Sequence, residues 1–252
     1  MSRTVLKHTR IYIGGYDSSP YTGTVGPLTQ EFGECEFAAL SDDVKNVLPN
    51  QANITPGTLN GVFDNTATSG LHILMNDAGG KNVVSIPIGF RAAPAAGDPV
   101  FCGEFEQMSY TAEPGDTCVT ATIDLGRWSN TATSKAYDKP WGHLLHANAA
   151  ATAANSATGA GVDGGASSSA GGFFVYHVTS GDGTATLSVD DSADDSSYTA
   201  LSDATSGELD CSSVQSGIVA LATDATVRQY LRWQISLNSA ETVTFVSSFV
   251  RG

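Results

Sequence analysis

TVRQYLRWQISLNSAETVTFVSSFVR, residues 226–251, reads as two β-strands joined by a turn. Val227, Leu231, Trp233, Ile235 and Leu237 alternate with Arg228, Tyr230, Arg232, Gln234 and Ser236, and a period of two sends one set to a buried face and the other to an exposed face. Asn238, Ser239, Ala240 and Glu241 have turn chemistry. The second strand is different. Val243, Phe245, Ser247 and Phe249 oppose Thr242, Thr244, Val246, Ser248 and Val250, so both of its sides are mostly apolar or β-branched. That pattern predicts a strand with neighbours on both faces, and a closing hairpin on which a β-scaffold ends.

Working back along the chain, Phe173–Ser180 and Ala185–Asp190 are predicted strands joined as a tight hairpin by Ser180-Gly181-Asp182-Gly183, with one or two more strands between Glu208 and Ala222. The run DDSADD, residues 190–195, reads as a solvated turn; it lacks the ligand pattern of a helix-flanked calcium loop. Residues 147–172 are almost entirely small or polar, and by composition alone read as a linker or surface loop. Residues 126–141 lack patterning, which divides the chain into two β-domains, 1–130 and 131–252. In the first half, 9–16, 25–37, 58–64, 82–90, 100–110 and 117–125 are predicted strands, the last two forming a hairpin about Glu113-Pro114-Gly115-Asp116. Residues 41–57 read as a polar loop and 69–77 as one short helix with Leu71, Leu74 and Met75 on one face. The fold class is therefore mainly β: two sandwich or barrel domains, with one short helix in the N-terminal one.

The chain has 252 residues, 12 Lys plus Arg against 26 Asp plus Glu, and only 15% charged residues. A formal charge of −14 argues against a nucleic-acid-binding module, which needs basic patches. Few charges and many small residues suit a surface largely covered by partners. Cys35, Cys102, Cys118 and Cys211 have no metal or redox spacing and are expected reduced and mostly buried; Cys102 and Cys118 fall on adjacent strands but out of register. No signal peptide or membrane-spanning stretch is expected.

No catalytic, cofactor-binding or metal site is expected. His143 and His146 in HLLH could ligate a metal only with further ligands that the sequence does not place. Phosphate-loop and nucleophile-elbow motifs are absent. Tyr12, Tyr16, Tyr21 and Trp141, if exposed, could bind sugar, but aromatics of this kind more often serve as packing residues or interface anchors.

Several signatures in order carry a resemblance. From about Gly142 these are HLLHANAAATAANSATGAGVDGGASSSAGG, YHVTSG, LSVDDSADDSSYTALSD, TVRQYLRW and VTFVSSFVR; before them come IYIGGYDSSPYTGTVGPLTQEFGECEF, TLNGVFD and GLHILMND. Together they resemble major tail (tail tube) proteins of long-tailed, siphovirus-type phages. The resemblance implies that residues 147–172 belong to the second domain as small-residue strands and turns. It also implies a structural, non-enzymatic virion protein, made in the host cytoplasm and placed in the virion tail. Copies would form homo-hexameric rings, or trimers with pseudo-sixfold symmetry, stacked into a tube that meets a tape measure protein and tail-end proteins. DNA would pass through the lumen without specific binding, and no cofactor or membrane is involved. The acidic surplus would then face the lumen, with Asp42, Asp43 and 190–195 as candidates. Two other classes compete: a virion decoration or receptor-binding protein with a carbohydrate-binding β-sandwich, and a glycan hydrolase, which would need two facing carboxylates.

Overall fold

The computed structural model describes residues 6–37, 44, 46–66, 71–76, 80–90, 92–128, 139–152 and 158–252. Helix is confined there to a 3-10 turn at Leu6–His8 and one α-helix, α1, at Leu71–Met75. The rest is mainly β, as the alternating patterns require. The first strands are β1 (Tyr12–Ile13), β2 (Tyr16–Asp17), β3 (Thr22–Val25), β4 (Thr29–Phe37), β5 (Asn46–Thr55), β6 (Thr58–Val62), β7 (Lys81–Pro87), β8 (Pro99–Pro114) and β9 (Val119–Trp128). The second half holds β10 (Trp141–Thr152), β11 (Val162–Asp163), β12 (Gly172–Gly181), β13 (Thr184–Ser192), β14 (Thr199–Asp210), β15 (Gln215–Ala220), β16 (Tyr230–Leu237) and β17 (Thr242–Arg251).

All pairings between these strands are antiparallel. One eleven-stranded sheet runs β15-β12-β17-β10-β8-β7-β1-β2, with β9, β6 and β3 branching from β8. A second sheet is β11-β16-β13-β14, and β4-β5 form a separate two-stranded ribbon. The large sheet passes through both halves because β8 pairs with β10 at Phe101↔Trp141 to Pro99↔His143 and with β9 further along.

Alternation sorts the side chains into layers. On β12, Phe174, Tyr176 and Val178 face the four-stranded sheet and join a core with Leu187, Val189, Leu231 and Ile235. Phe173 and Val175, on the other face, meet Val100, Cys102 and Val250. The strand β17 divides the same way: Val243, Phe245 and Phe249 enter the sandwich core, while Val246 and Val250 enter the seam. From the other side of the seam, β1, β7 and β8 give Tyr12, Val83, Val100 and Cys102. Their opposite faces, with Ile11, Ile13, Val84, Ile86, Phe101 and Phe105, build a third core under β6, β9 and α1. The chain thus has two main cores, one on each side of a shared seam. The expected division at 130/131 lies within 129–138, outside the described residues.

Several local expectations need correction. The closing stretch is not a hairpin: β16 pairs with β11 and β13, whereas β17 pairs with β10 and β12. Its turn carries the chain from one sheet to the other. The Gly181-Asp182-Gly183 corner does the same between β12 and β13, with the Asp182 carboxylate accepting from the amides of Glu241 (2.8 Å) and Thr242 (3.0 Å). A period of two fixes the face of a side chain and leaves the strand's partner open.

Residues 46–55, expected as loop, form β5, whose Pro49 is tolerated because the ribbon is only two strands wide and leaves one edge of β5 without a ladder. Residues 158–172 are docked by backbone hydrogen bonds from Gly159, Gly164, Ser168 and Gly171 to Trp233, Gln229, Val227 and Ala225. Their small side chains have a steric cause: a Cβ at Gly159 would lie 2.1 Å from Trp233 Nε1, and one at Gly161 1.9 Å from Asp195 Oδ1. The composition-based linker reading fails for these described residues. Only Cys102 and Cys211 of the four free thiols are buried; Cys35 and Cys118 are exposed, on the ribbon and beside the β8–β9 turn.

Because β17 is covered on both faces, truncating it empties packed space. Phe249→Ala is expected to cost about 3–5 kcal/mol of unfolding free energy in urea titration, whereas Val62→Ser, at a 54% exposed position, changes it by less than about 0.5 kcal/mol. Equal effects would contradict the layered arrangement.

Candidate functional site

His143 and His146 lie on β10, a strand, and not on a helix. The His146 ring stacks on Phe245 with centroids 4.0 Å apart, its Nδ1–H donates to the Phe245 carbonyl at 3.0 Å, and burial lowers its pKa. His143 donates to the Gly97 carbonyl at 3.2 Å. Among the described residues, no three His, Cys, Asp or Glu side chains gather as a metal site would require.

The acidic run is only partly a turn. Asp190 and Asp191 lie in the last residues of β13, each 4% exposed. Arg232 donates from Nε (3.1 Å) and Nη2 (2.9 Å) to Asp190 Oδ2, and the Gln234 amide nitrogen, in the orientation that satisfies both groups, reaches the same carboxylate. Asp191 accepts from the Arg228 backbone amide at 2.9 Å and pairs with its guanidinium at 3.6 Å. These two acids belong to an internal ion-pair network and cannot line a lumen. Asp194 is a turn cap, held well below the usual carboxylate range by the amide of Ser197, the hydroxyl of Ser192 and the amide of Ser196. Asp42 and Asp43 lie outside the described residues.

The aromatics expected at a sugar platform have other duties. Tyr12 is 3% exposed at the seam, and Tyr21 packs on the N-terminal core. Tyr16 is half-buried. Trp141, 40% exposed, sets its ring edge against Phe101.

Two features were not anticipated from sequence. The first is a polar link inside the seam. His177, fully buried on β12, accepts from the Gly15 amide at Nδ1 (3.3 Å) and donates from Nε2 to Ser85 Oγ at 2.9 Å. Both ring nitrogens are thereby committed to the opposite half of the chain, and the ring is neutral. Beside it the Ser248 hydroxyl meets Cys102 Sγ at 3.7 Å. The second is the β4–β5 ribbon. Its base is anchored: Ile54 is buried in the N-terminal core, Ala52 packs against it, and Thr55 Oγ1 donates to the Leu125 carbonyl at 2.8 Å. Its outer part stands in solvent, with Phe32 45%, Val47 52% and Leu48 54% exposed beside Glu31, Glu34 and Glu36.

No protein-family model matches the chain, and neither does any curated protein. Among solved structures, the chain is similar to the SPP1 Dit (gp 19.1) protein, described as a paradigm of the hub adsorption apparatus in phages that infect Gram-positive hosts. That similarity has a TM-score of 0.33 and 10% identity, over 96% of this chain and 99% of the other. At that level the likeness shows neither the family nor the function of this chain.

The seam link makes stability acid-sensitive. Desolvation pushes His177 from 6.5 down to about 3. Between those values the unfolded chain binds a proton that the folded one refuses. This contribution is therefore complete above about pH 6.5 and is lost as pH falls toward 3, at up to about 1.4 kcal/mol per pH unit. Urea unfolding from pH 7 to 4 is expected to show a slope that His177→Gln reduces by about one proton; an unchanged slope would show that His177 is not held neutral.

Proposed function

We propose that the chain is a structural protein of a phage tail whose copies self-assemble, through the β4–β5 ribbon among other surfaces, into rings that stack as a tube. The observation that carries this reading is the ribbon itself. Two strands alone are marginal in water, and this pair exposes apolar side chains on both of its faces, Val47 on one and Leu48 on the other. Phe32, Val47 and Leu48 stand on a ribbon that neither sheet hydrogen-bonds along its length. The ordered series of signatures resembling major tail proteins supports the same reading, as do the 15% charged content and the absence of a catalytic motif.

In this reading the copies form hexamers, or trimers with pseudo-sixfold symmetry, in the virion tail after synthesis in the host cytoplasm. A tape measure protein and tail-end proteins are the further partners. A ring contact that closes by rotation and an axial contact that repeats without closing would together generate a tube. The surplus of 26 acids over 12 bases gives the wall the sign of DNA, so the genome would slide past it without adhering. Asp190 and Asp191 are excluded from that role by their internal pairing. The protein acts on no substrate and needs no cofactor.

Size-exclusion chromatography with light scattering, followed by negative-stain imaging, tests this. The full chain is expected to form rings or tubes as concentration rises. Replacing residues 33–50 by a short Gly-Ser turn, which spares the buried base of the ribbon, is expected to leave a folded protein that no longer stacks. A full chain that stays monomeric at high concentration, or a shortened chain that assembles as well as the full one, would overturn the reading.

A further inference from the structure

Two side chains of opposite charge border one hollow without pairing. A cavity of about 260 Å³ lies at the mouth of the seam, where β1, β2, the end of β7, the 92–98 loop, β10 and β17 converge. Its polar lining is Arg10, Asp17, Asn148 and Tyr12. Arg10 Nη1 donates to the carbonyls of Lys7 (3.1 Å) and Thr9 (3.0 Å), and Asp17 Oδ1 accepts from the Ser19 amide (3.0 Å). Asn148 Oδ1 accepts from Thr179 Oγ1 at 2.8 Å. Among the described residues, Arg10 Nε and Nη2, Asp17 Oδ2 and Asn148 Nδ2 have no further partner, and no ion pair joins Arg10 to Asp17.

Tyr12 adds a buried group in the same condition. It is 3% exposed, and its ring packs with Leu144 and Val246, so it has no face on which a ligand could stack. Its hydroxyl makes no hydrogen bond among the described residues, whereas a buried tyrosine usually finds a partner for that group. Burial, then the Asp17 carboxylate, raises the Tyr12 pKa, and Arg10 opposes them. The hydroxyl therefore keeps its proton and lies in the field of both charged groups. The rest of the lining is apolar, with Pro87, Pro94, Leu144 and Val246 buried. Backbone hydrogen bonds tie these walls together: Arg10 N to Pro87 O (3.1 Å), Gly97 N to Leu144 O (2.8 Å) and Leu144 N to Asp98 O (2.9 Å). A preformed, mostly apolar hollow between two halves of a chain, with a few placed polar groups, is the ordinary form of a small-molecule site.

The lining selects the chemistry of the ligand. An anion would meet Asp17 and a cation would meet Arg10, so neither sign of charge is favoured. Hydroxyl groups both donate and accept, and they suit guanidinium and amide donors, a carboxylate acceptor and a phenol that does either. The apolar walls suit the C–H face of a ring, and the volume has room for one. We infer that the mouth of the seam is a subsite for a single uncharged pyranose ring, free or at the end of a glycan. Arg10, Asp17 and the Tyr12 hydroxyl hold its hydroxyls, and Pro87 and Pro94 flank it. Binding there does not require self-assembly.

Saturation-transfer NMR of the full chain tests this. The probes are the methyl α-pyranosides of glucose, galactose, N-acetylglucosamine and N-acetylgalactosamine, with L-alanine as a zwitterionic control. Transfer to the ring protons of at least one pyranoside, and none to alanine, is expected. Tyr12→Phe removes only the hydroxyl, and Asp17→Asn keeps an oxygen for the Ser19 amide while removing the charge. Each is expected to lower the transfer at least about fivefold. The free protein gives the Tyr12 hydroxyl no partner, so Tyr12→Phe is expected to leave the urea midpoint unchanged or slightly raised. That result separates lost binding from lost folding. Transfer to none of the four sugars, transfer undiminished in either variant, or equal transfer to alanine overturns the subsite. A lowered midpoint in Tyr12→Phe overturns it as well, because the hydroxyl would then be paired already.

Discussion

Burial of β17 on both faces is the constraint on which the rest depends. A strand covered on one face needs one partner layer. This strand needs two, and it gets one from the four-stranded sheet and the other from N-terminal strands β1, β7 and β8, which continue its own sheet. Phe245 and Phe249 fill the sandwich side, and Val246 and Val250 fill the seam. Fully burying a side chain of this size is worth about 1.5–3 kcal/mol, so the strand contributes to two cores at once. The halves cannot be pulled apart without exposing one of its faces.

The seam is not a plain hydrophobic contact. The Ser85–His177–Gly15 link, the Ser248–Cys102 contact and the Tyr12 ring place polar atoms where the two halves meet. A buried polar group costs stability when unpaired and specifies geometry when paired. His177 has a partner on each nitrogen only when Gly15 and Ser85 sit in one position. The apolar residues around it would tolerate sliding by a fraction of a side chain, and the imidazole would not. The neutral ring records the same fact electrostatically, since a proton has no acceptor to go to.

Much of this architecture was legible in the residues. The alternation of 226–251 assigned faces correctly, including the two-sided burial of β17, and the Pro-Gly signal placed the β8–β9 turn. What the alternation could not supply was partners. Short turns at Gly181–Gly183 and Asn238–Glu241 look like hairpin turns because nearness in sequence usually means pairing, yet both cross between sheets. The buried pair Asp190 and Asp191 was hidden by its charge, because a run of acids reads as solvated until arginines from another strand are placed beside it. The link from His177 to Ser85 spans 92 residues and leaves no local trace. Strand β5 was masked by Pro49, which interrupts a central strand but not one with an open edge.

The ribbon shows how an exposed element can be kept safe until it is used. Among the described residues it joins neither sheet as a further strand, and it exposes Phe32, Val47 and Leu48, features of an aggregation site. Three glutamates on β4 oppose pairing of one ribbon with the same ribbon of another copy, because like charges would then lie side by side. The bulge between Phe32 and Glu34 further breaks the regular ladder that an incoming strand would copy. Meanwhile the base, fixed by Ile54, Ala52 and the Thr55–Leu125 hydrogen bond, aims the ribbon before any partner arrives. A segment ordered in advance loses less entropy on binding than a loose loop does. The acids that deter the wrong contact are thus also able to favour a basic one, so a single set of charges can discriminate between a second ribbon and a complementary surface.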